Sequence, residues 1–143
     1  MKKKNGFTLI ELLSVIILLS IIALIAIPTV VILMENSKKS ALKDSAHGLV
    51  RAAQYYNSNR KLKGDSIEST ITFIGPNYQT ENEKLEFNGE HFEGVVNIDE
   101  NNNISLAIYN ENYCAYKQTT DVNVTLTEVT SLDDCKNILI SSD

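Results

Sequence analysis

Phe7-Thr8-Leu9-Ile10-Glu11-Leu12-Leu13 opens a run in which one acid stands alone among apolar side chains. Residues 12–34 carry no charge over 23 positions, and only Ser14, Ser20, Pro28 and Thr29 interrupt the apolar pattern. At about 1.5 Å per residue, a helix of that length spans about 34 Å, enough for a hydrocarbon core of about 30 Å. Lys2, Lys3 and Lys4 precede the run and no lysine lies within it. That asymmetry predicts a cytoplasmic N-terminus, with the remainder of the chain on the outer side.

A cleaved secretory signal needs small residues at the two key positions before the cut. A cut after Ala26 puts Leu24 third from the bond, and Pro28 follows closely. The apolar stretch is also too long for a signal core. A plain signal anchor fits the length but gives no reason for Glu11. A charged carboxylate at mid-bilayer costs about 2.5 to 3.5 kcal/mol on insertion scales, and less near the end of a segment.

Beyond Met34 the helical pattern continues. Leu42, Ala46, Leu49, Val50, Ala53 and Tyr56 form one stripe at a period of 3.6, and Lys38, Lys39, Asp44, Ser45 and Arg51 are assigned to the other face. The pattern predicts one helix from Phe7 to about Asn57. Such a length makes sense only if its first half lies in lipid or in the core of an assembly and its second half packs on a domain. Pro28 removes one backbone hydrogen bond and crowds the carbonyl of Leu24, so a kink or local melting is expected there. Gly48 is a milder weakness.

Asn57-Ser58-Asn59 and Gly64-Asp65-Ser66 signal the end of the helix and a polar connection. Residues 70–74, 84–88, 92–98, 104–109, 113–117 and 122–128 read as strands, separated by turn residues at Gly75-Pro76-Asn77, at Gly89 and at 99–103. Strands joined by short turns form a largely antiparallel sheet. A long helix followed by such strands is an α+β unit. The expected organisation is a leader at 1–6, a transmembrane or filament-core helix at 7–34, an amphipathic continuation at 35–60, and a sheet domain with a C-terminal tail at 61–143.

Gly6-Phe7-Thr8-Leu9-Ile10-Glu11-Leu12-Leu13 resembles the type IV prepilin signature, shared by pilins and by the pseudopilins of secretion and competence machines. The resemblance covers about residues 2–34. It implies that a prepilin peptidase cuts between Gly6 and Phe7 on the cytoplasmic side and N-methylates Phe7, and that the apolar helix is retained. It makes Glu11 the acid at the fifth position of the mature chain, and matches Pro28 to a proline common late in this segment. The implied partners are other copies of the chain or other pilins, the peptidase, the assembly platform with its ATPase, and the membrane before assembly. The implied destination is the cytoplasmic membrane for the single-pass precursor, then an extracellular pilus, or fimbrium, or the cell surface.

The physical argument for Glu11 agrees. Cleavage creates an α-amine on Phe7 with an unperturbed pKa of about 8, mostly cationic at neutral pH. Paired with that amine on a neighbour, the carboxylate gains more in a low dielectric than in water, and a wrong register leaves a buried charge alone.

Cys114 and Cys135 are the two cysteines. On the outer side disulfides persist, and closing a loop of about 20 residues is worth about 3 kcal/mol in the entropy model. Two free thiols are the alternative. Pilins often tie down their C-terminal segment with such a bond, which here would pin the tail near Asp133-Asp134-Cys135 to the strand at Tyr113-Cys114.

The formal net charge is −5, and without the three leader lysines ten basic residues face 18 acidic ones. This balance of −8 opposes bulk binding to nucleic acid or to an anionic membrane, so no direct nucleic-acid contact is expected. It leaves room for a local patch, and Lys38, Lys39, Lys43, Arg51, Arg60, Lys61 and Lys63 gather in the helical half.

His47 and His91 lie in different elements without ligand-like neighbours, and no zinc spacing, phosphate loop or nucleophile elbow is present. No cofactor, metal or enzymatic activity is expected. Residues 99–103 offer oxygens but lack the glycine and terminal glutamate of a calcium loop, and a polar turn is the reading preferred. Asn103-Ile104-Ser105 and Asn123-Val124-Thr125 match the short glycosylation acceptor pattern, which chance also produces. Tyr113 and Tyr116 suggest cross-strand aromatic packing or a sticky patch.

The leading expectation is a structural subunit of a type IV pilus. The alternatives are a pseudopilin of a type II secretion or competence DNA-uptake machine, and a single-span anchored adhesin.

Overall fold

The computed structural model describes residues 6–65, 69–74, 77–79, 92–99 and 101–140. The expected strand at 84–88, His91 and the turn residues Gly75, Pro76 and Gly89 lie outside them. The chain forms two compact units, Met1–Ser37 and Lys38–Asp143. Helix α1, Leu9–Lys63, is an element of both.

Within the first unit every described side chain from residue 6 to residue 37 is exposed. Its hydroxyls turn inward on the helix itself. Ser14 Oγ donates to the Ile10 carbonyl at 2.8 Å, Ser20 Oγ to Ile16 at 2.7 Å and Thr29 Oγ1 to Ile25 at 3.1 Å. Satisfying hydroxyls this way lets a polar residue sit in an apolar segment without an unpaired donor. Helix α1 continues through Pro28 without a break. The melting expected there is absent in the isolated chain, because proline removes a single bond and the helix holds those on either side.

In the second unit α1 buries Leu42, Ser45, Ala46, Leu49, Ala53 and Asn57. Leu42, Ala46, Leu49 and Ala53 are the expected stripe, and Val50 and Tyr56 pack at its margin. The sequence pattern assigns Ser45 to the face opposite the stripe and Asn57 to the end of the helix, yet both are buried polar positions inside it. Asn57 also explains why the helix does not end at residues 57–59. Its Nδ2 donates to Asn102 Oδ1 in a turn of the sheet, while Ser58 Oγ donates to the Gln54 carbonyl at 2.8 Å. The helix stops one turn later. Gly64 adopts φ 79°, its N–H donates to Lys61 O at 3.2 Å, and the Asp65 N–H donates to Arg60 O at 3.1 Å. These two bonds form a Schellman cap, whose left-handed residue favours glycine.

Among the described residues six antiparallel strands follow: β1 Ser69–Ile74, β2 Asn77–Gln79, β3 Glu93–Ile98, β4 Ile104–Asn110, β5 Tyr113–Lys117 and β6 Thr125–Glu128, in the order β2-β1-β3-β4-β5-β6. The α+β architecture expected from the sequence is the one observed. Alternation sorts the two faces of the sheet. Val96, Ile98, Ile104, Leu106, Ile108 and Ala115 join the α1 stripe in one core. On the other face Ala107, Cys114 and Tyr116 gather around a second helix, α2 Leu132–Ile140. Each large aliphatic side chain buried this way contributes about 1.5–3 kcal/mol.

Further features of the C-terminal half differ from the sequence reading, among them β2, which begins at Asn77 where a turn was expected. The C-terminal segment contains α2, opened by a Ser131–Asp134 box. The Asp134 N–H donates to Ser131 Oγ at 3.1 Å, and Ser131 Oγ donates to Asp134 Oδ2 at 2.8 Å. Strand β6 begins at Thr125, because a turn closes first: the Asp121 N–H donates to Gln118 O at 3.1 Å and the Gln118 N–H donates to Asp121 Oδ2 at 3.2 Å. Tyr113 and Tyr116 lie on opposite faces of β5 and share no patch; Tyr113 packs at the α1 core and Tyr116 beside α2.

Gly94 is required by close approach. A Cβ there would run into the carbonyl oxygen of Ala107 and the Cα of Ile108 on the paired strand. The turn at 99–103 is self-contained. Asn103 donates from its backbone to Asp99 Oδ1 at 2.7 Å and from its side chain to Asp99 Oδ2 at 2.8 Å. Asn102 takes φ 71°. Both Asp99 oxygens are thus engaged, and the hydrogen bonds from the Asn103 side chain and then its backbone hold this carboxyl below the usual aspartate range.

Candidate assembly site

The first turn of α1 is built by a reciprocal cap. Thr8 precedes the helix and Glu11 lies three residues on. The Thr8 N–H and the Thr8 hydroxyl both donate to Glu11 Oε2 at 2.8 Å, and the Glu11 N–H donates to Thr8 Oγ1 at 3.4 Å. This is a capping box, which satisfies helix N-terminal donors that otherwise go unpaired. It also places an acid where the helix dipole is positive. The sequence carries this signal as Thr8-x-x-Glu11, and Thr8 joins Glu11 in the candidate site although the cost of an acid in lipid does not point to it.

Around this cap the chain is open. Gly6 has no heavy atom within 4 Å of the position a Cβ would take, and Phe7 is 84 % exposed. Leu9, Ile10, Leu12 and Leu13 are exposed in turn, so Glu11 stands on an apolar surface that none of the described residues covers. Among the described residues α1 is the one helix long and apolar enough to cross a membrane. Pro28 lies within the same exposed stretch, four residues after Leu24, whose carbonyl lacks the N–H that proline does not have.

Residues 1–27 match the family model of the prokaryotic N-terminal methylation motif. The chain carries the class III signal of type IV prepilins and pseudopilins. No curated protein and no solved structure matches the chain. The prepilin-type signal and the apolar part of α1 together fit a membrane-anchored precursor.

Cys114 and Cys135 lie far from this segment in sequence. They form a disulfide between β5 and α2 with Cα atoms 5.5 Å apart, and both are fully buried. The bond closes a separation of 21 residues and fastens α2 to its face of the sheet. The hydroxyls of Thr130 (2.7 Å) and Ser131 (2.8 Å) donate to Asp134 Oδ2 at the start of that helix. They hold this carboxyl, like that of Asp99, below the ordinary range. Lys38 Nζ lies 2.6 Å from Oε2 of the exposed Glu111 between β4 and β5, and Nζ of the half-buried Lys39 lies 4.6 Å from the centre of the Tyr113 ring. Among the described residues no group of three or more His, Cys, Asp or Glu side chains is placed to hold a metal ion.

Proposed function

We propose that the protein is a structural subunit of a type IV pilus, with no catalytic role of its own. In this reading prepilin peptidase removes residues 1–6 by cutting between Gly6 and Phe7, and N-methylates Phe7. The retained helix leaves the bilayer and packs against other copies through residues 7–34, and the sheet domain faces outward. The assembly platform and its ATPase drive that transfer.

The observation that carries the reading is a methylation motif joined to an apolar helical segment whose side chains are exposed and not covered by any described residue. An uncovered apolar surface of this size is stable in lipid or against neighbours, not in water. Glu11 then acts as a register mark. Facing the Phe7 amine of a neighbour it forms a compensated pair, and in a shifted register it remains a lone charge among apolar groups.

Mass spectrometry of the mature N-terminus tests the proposal. It should begin at a methylated Phe7; an uncut chain retaining residues 1–6 would instead support a single-span anchored protein. Electron microscopy of the surface then separates a pilus subunit from a pseudopilin. Filaments should be present and should vanish when the coding sequence is deleted.

A further inference from the structure

The two acceptor-type triplets, Asn103-Ile104-Ser105 and Asn123-Val124-Thr125, have different surroundings. Asn103 is committed: its side chain donates to Asp99 Oδ2 at 2.8 Å and locks the turn before β4. Its triplet then enters a strand paired on both sides, with Ile104 buried. Asn123 is exposed in the bend before β6, and its carboxamide makes no hydrogen bond to a described residue. Val122 beside it is 89 % exposed, and Thr125 is exposed at the first position of the edge strand β6. The preceding turn, closed between Gln118 and Asp121, presents this stretch at the sheet margin.

We propose that Asn123 is a modification site that accepts an N-linked oligosaccharide from a lipid-pyrophosphate-linked donor. Acceptor triplets of this kind are read as surface loops of exported chains, and the proposal rests on the outward placement of the sheet domain given above. In the transfer, the carboxamide nitrogen of Asn123 forms a bond to the anomeric carbon of the sugar. The bond from that carbon to the pyrophosphate oxygen breaks, and the lipid pyrophosphate leaves with the electron pair. The carboxamide gives up one proton. The Thr125 hydroxyl is the second recognition group. Val124 is 3 % exposed and belongs to the core, so the triplet is offered when the edge strand β6, paired with β5 alone, opens locally while the turn that holds Asn103 stays folded.

The test is mass spectrometry of the tryptic peptide 118–136, reduced and alkylated, from the full chain in its own cells. We expect a mass increment of whole sugar residues at Asn123. It should be lost completely in Asn123→Gln and Thr125→Val, and kept in Thr125→Ser. Asn103 should remain unmodified. Protease added to intact cells or spheroplasts reports topology in the same samples. An unmodified peptide from a domain that the protease reaches overturns the site and leaves the pilus reading standing. A domain protected from the protease overturns the outward placement instead. Acceptor quality is then decided in vitro, using the full chain in detergent, a bacterial oligosaccharyltransferase and a polyprenyl-pyrophosphate oligosaccharide. Transfer to Asn123 supports the site. Transfer to Asn103 in preference, or to neither, overturns it.

Discussion

The stretch from Leu9 to Met34 and the domain from Lys38 onward use apolar residues in opposite ways. In the domain most large aliphatic groups of the helix and sheet are packed: Leu49, Leu106, Ile108 and Val96 are fully buried, and a disulfide reinforces the second face of the sheet. In the first stretch Leu, Ile and Val are far denser and every one is exposed. The domain therefore draws its stability from its own chain, while the stretch draws its stability from lipid or from other chains. One difference in pattern separates them. The domain's apolar groups recur at periods of 3.6 and 2, whereas the stretch is apolar all round.

This contrast can be broken at several points, beginning with the largest effect. Gly6→Val should abolish processing, and the precursor should remain at full length on a gel while the domain still folds. Glu11→Ala should leave insertion and cleavage intact but reduce filaments severely, as counted by electron microscopy. Normal filaments from that variant would remove the register argument. Neither change should move the thermal midpoint of the domain in the detergent-solubilised chain.

Changes in the domain should do the reverse. Gly94→Ala forces a methyl group against the β4 backbone and should cost about 3 kcal/mol, at the upper end of ordinary overpacking. Thermal unfolding of the solubilised chain would measure it. The double change Cys114→Ala and Cys135→Ala should cost a similar amount, about 3 kcal/mol in the loop-entropy model. That variant should still be processed at Gly6.

The smallest effect concerns pH. Asp99 and Asp134 are held below the usual aspartate range by hydrogen bonds to their carboxylates. In the unfolded chain both titrate near about 3.9. Their stabilisation is therefore fully present above that value and is lost as pH falls through the lower native values. Both groups are exposed, so the effect is modest. Thermal midpoints measured downward from pH 5 should decline, and Asp99→Asn with Asp134→Asn should flatten the decline.

Much of this was legible from residues alone. The span of residues 12–34, the motif around Glu11 and the alternation in β3, β4 and β5 each carry a strong local signal, because burial on one face imposes a period. Other parts were not read. Helix α2 has nine residues, too few for a convincing stripe, although Leu132, Cys135 and Leu139 fall at helical spacing behind the Ser131–Asp134 box. Strand β2 has three residues and is defined by its pairing with β1. Burial of Asn57 depends on Asn102, which is 45 residues away, and no local rule reaches that far. The cap of Thr8 is written in the sequence as a Thr-x-x-Glu spacing, but the cost of an acid in lipid points to Glu11 alone and carries no sign of Thr8.

That cap has a consequence for how the acid serves two partners. Both Thr8 donors converge on Oε2 of Glu11, and Oε1 accepts nothing from the described residues. A carboxylate has lone pairs on two oxygens, so the helix occupies one side and the other stays open to an incoming cation. Docking onto a neighbour's amine would then proceed without unmaking the helix end. In the proposed filament the two roles would be additive rather than exclusive, since the bonds that steady the helix end leave Oε1 for a neighbour.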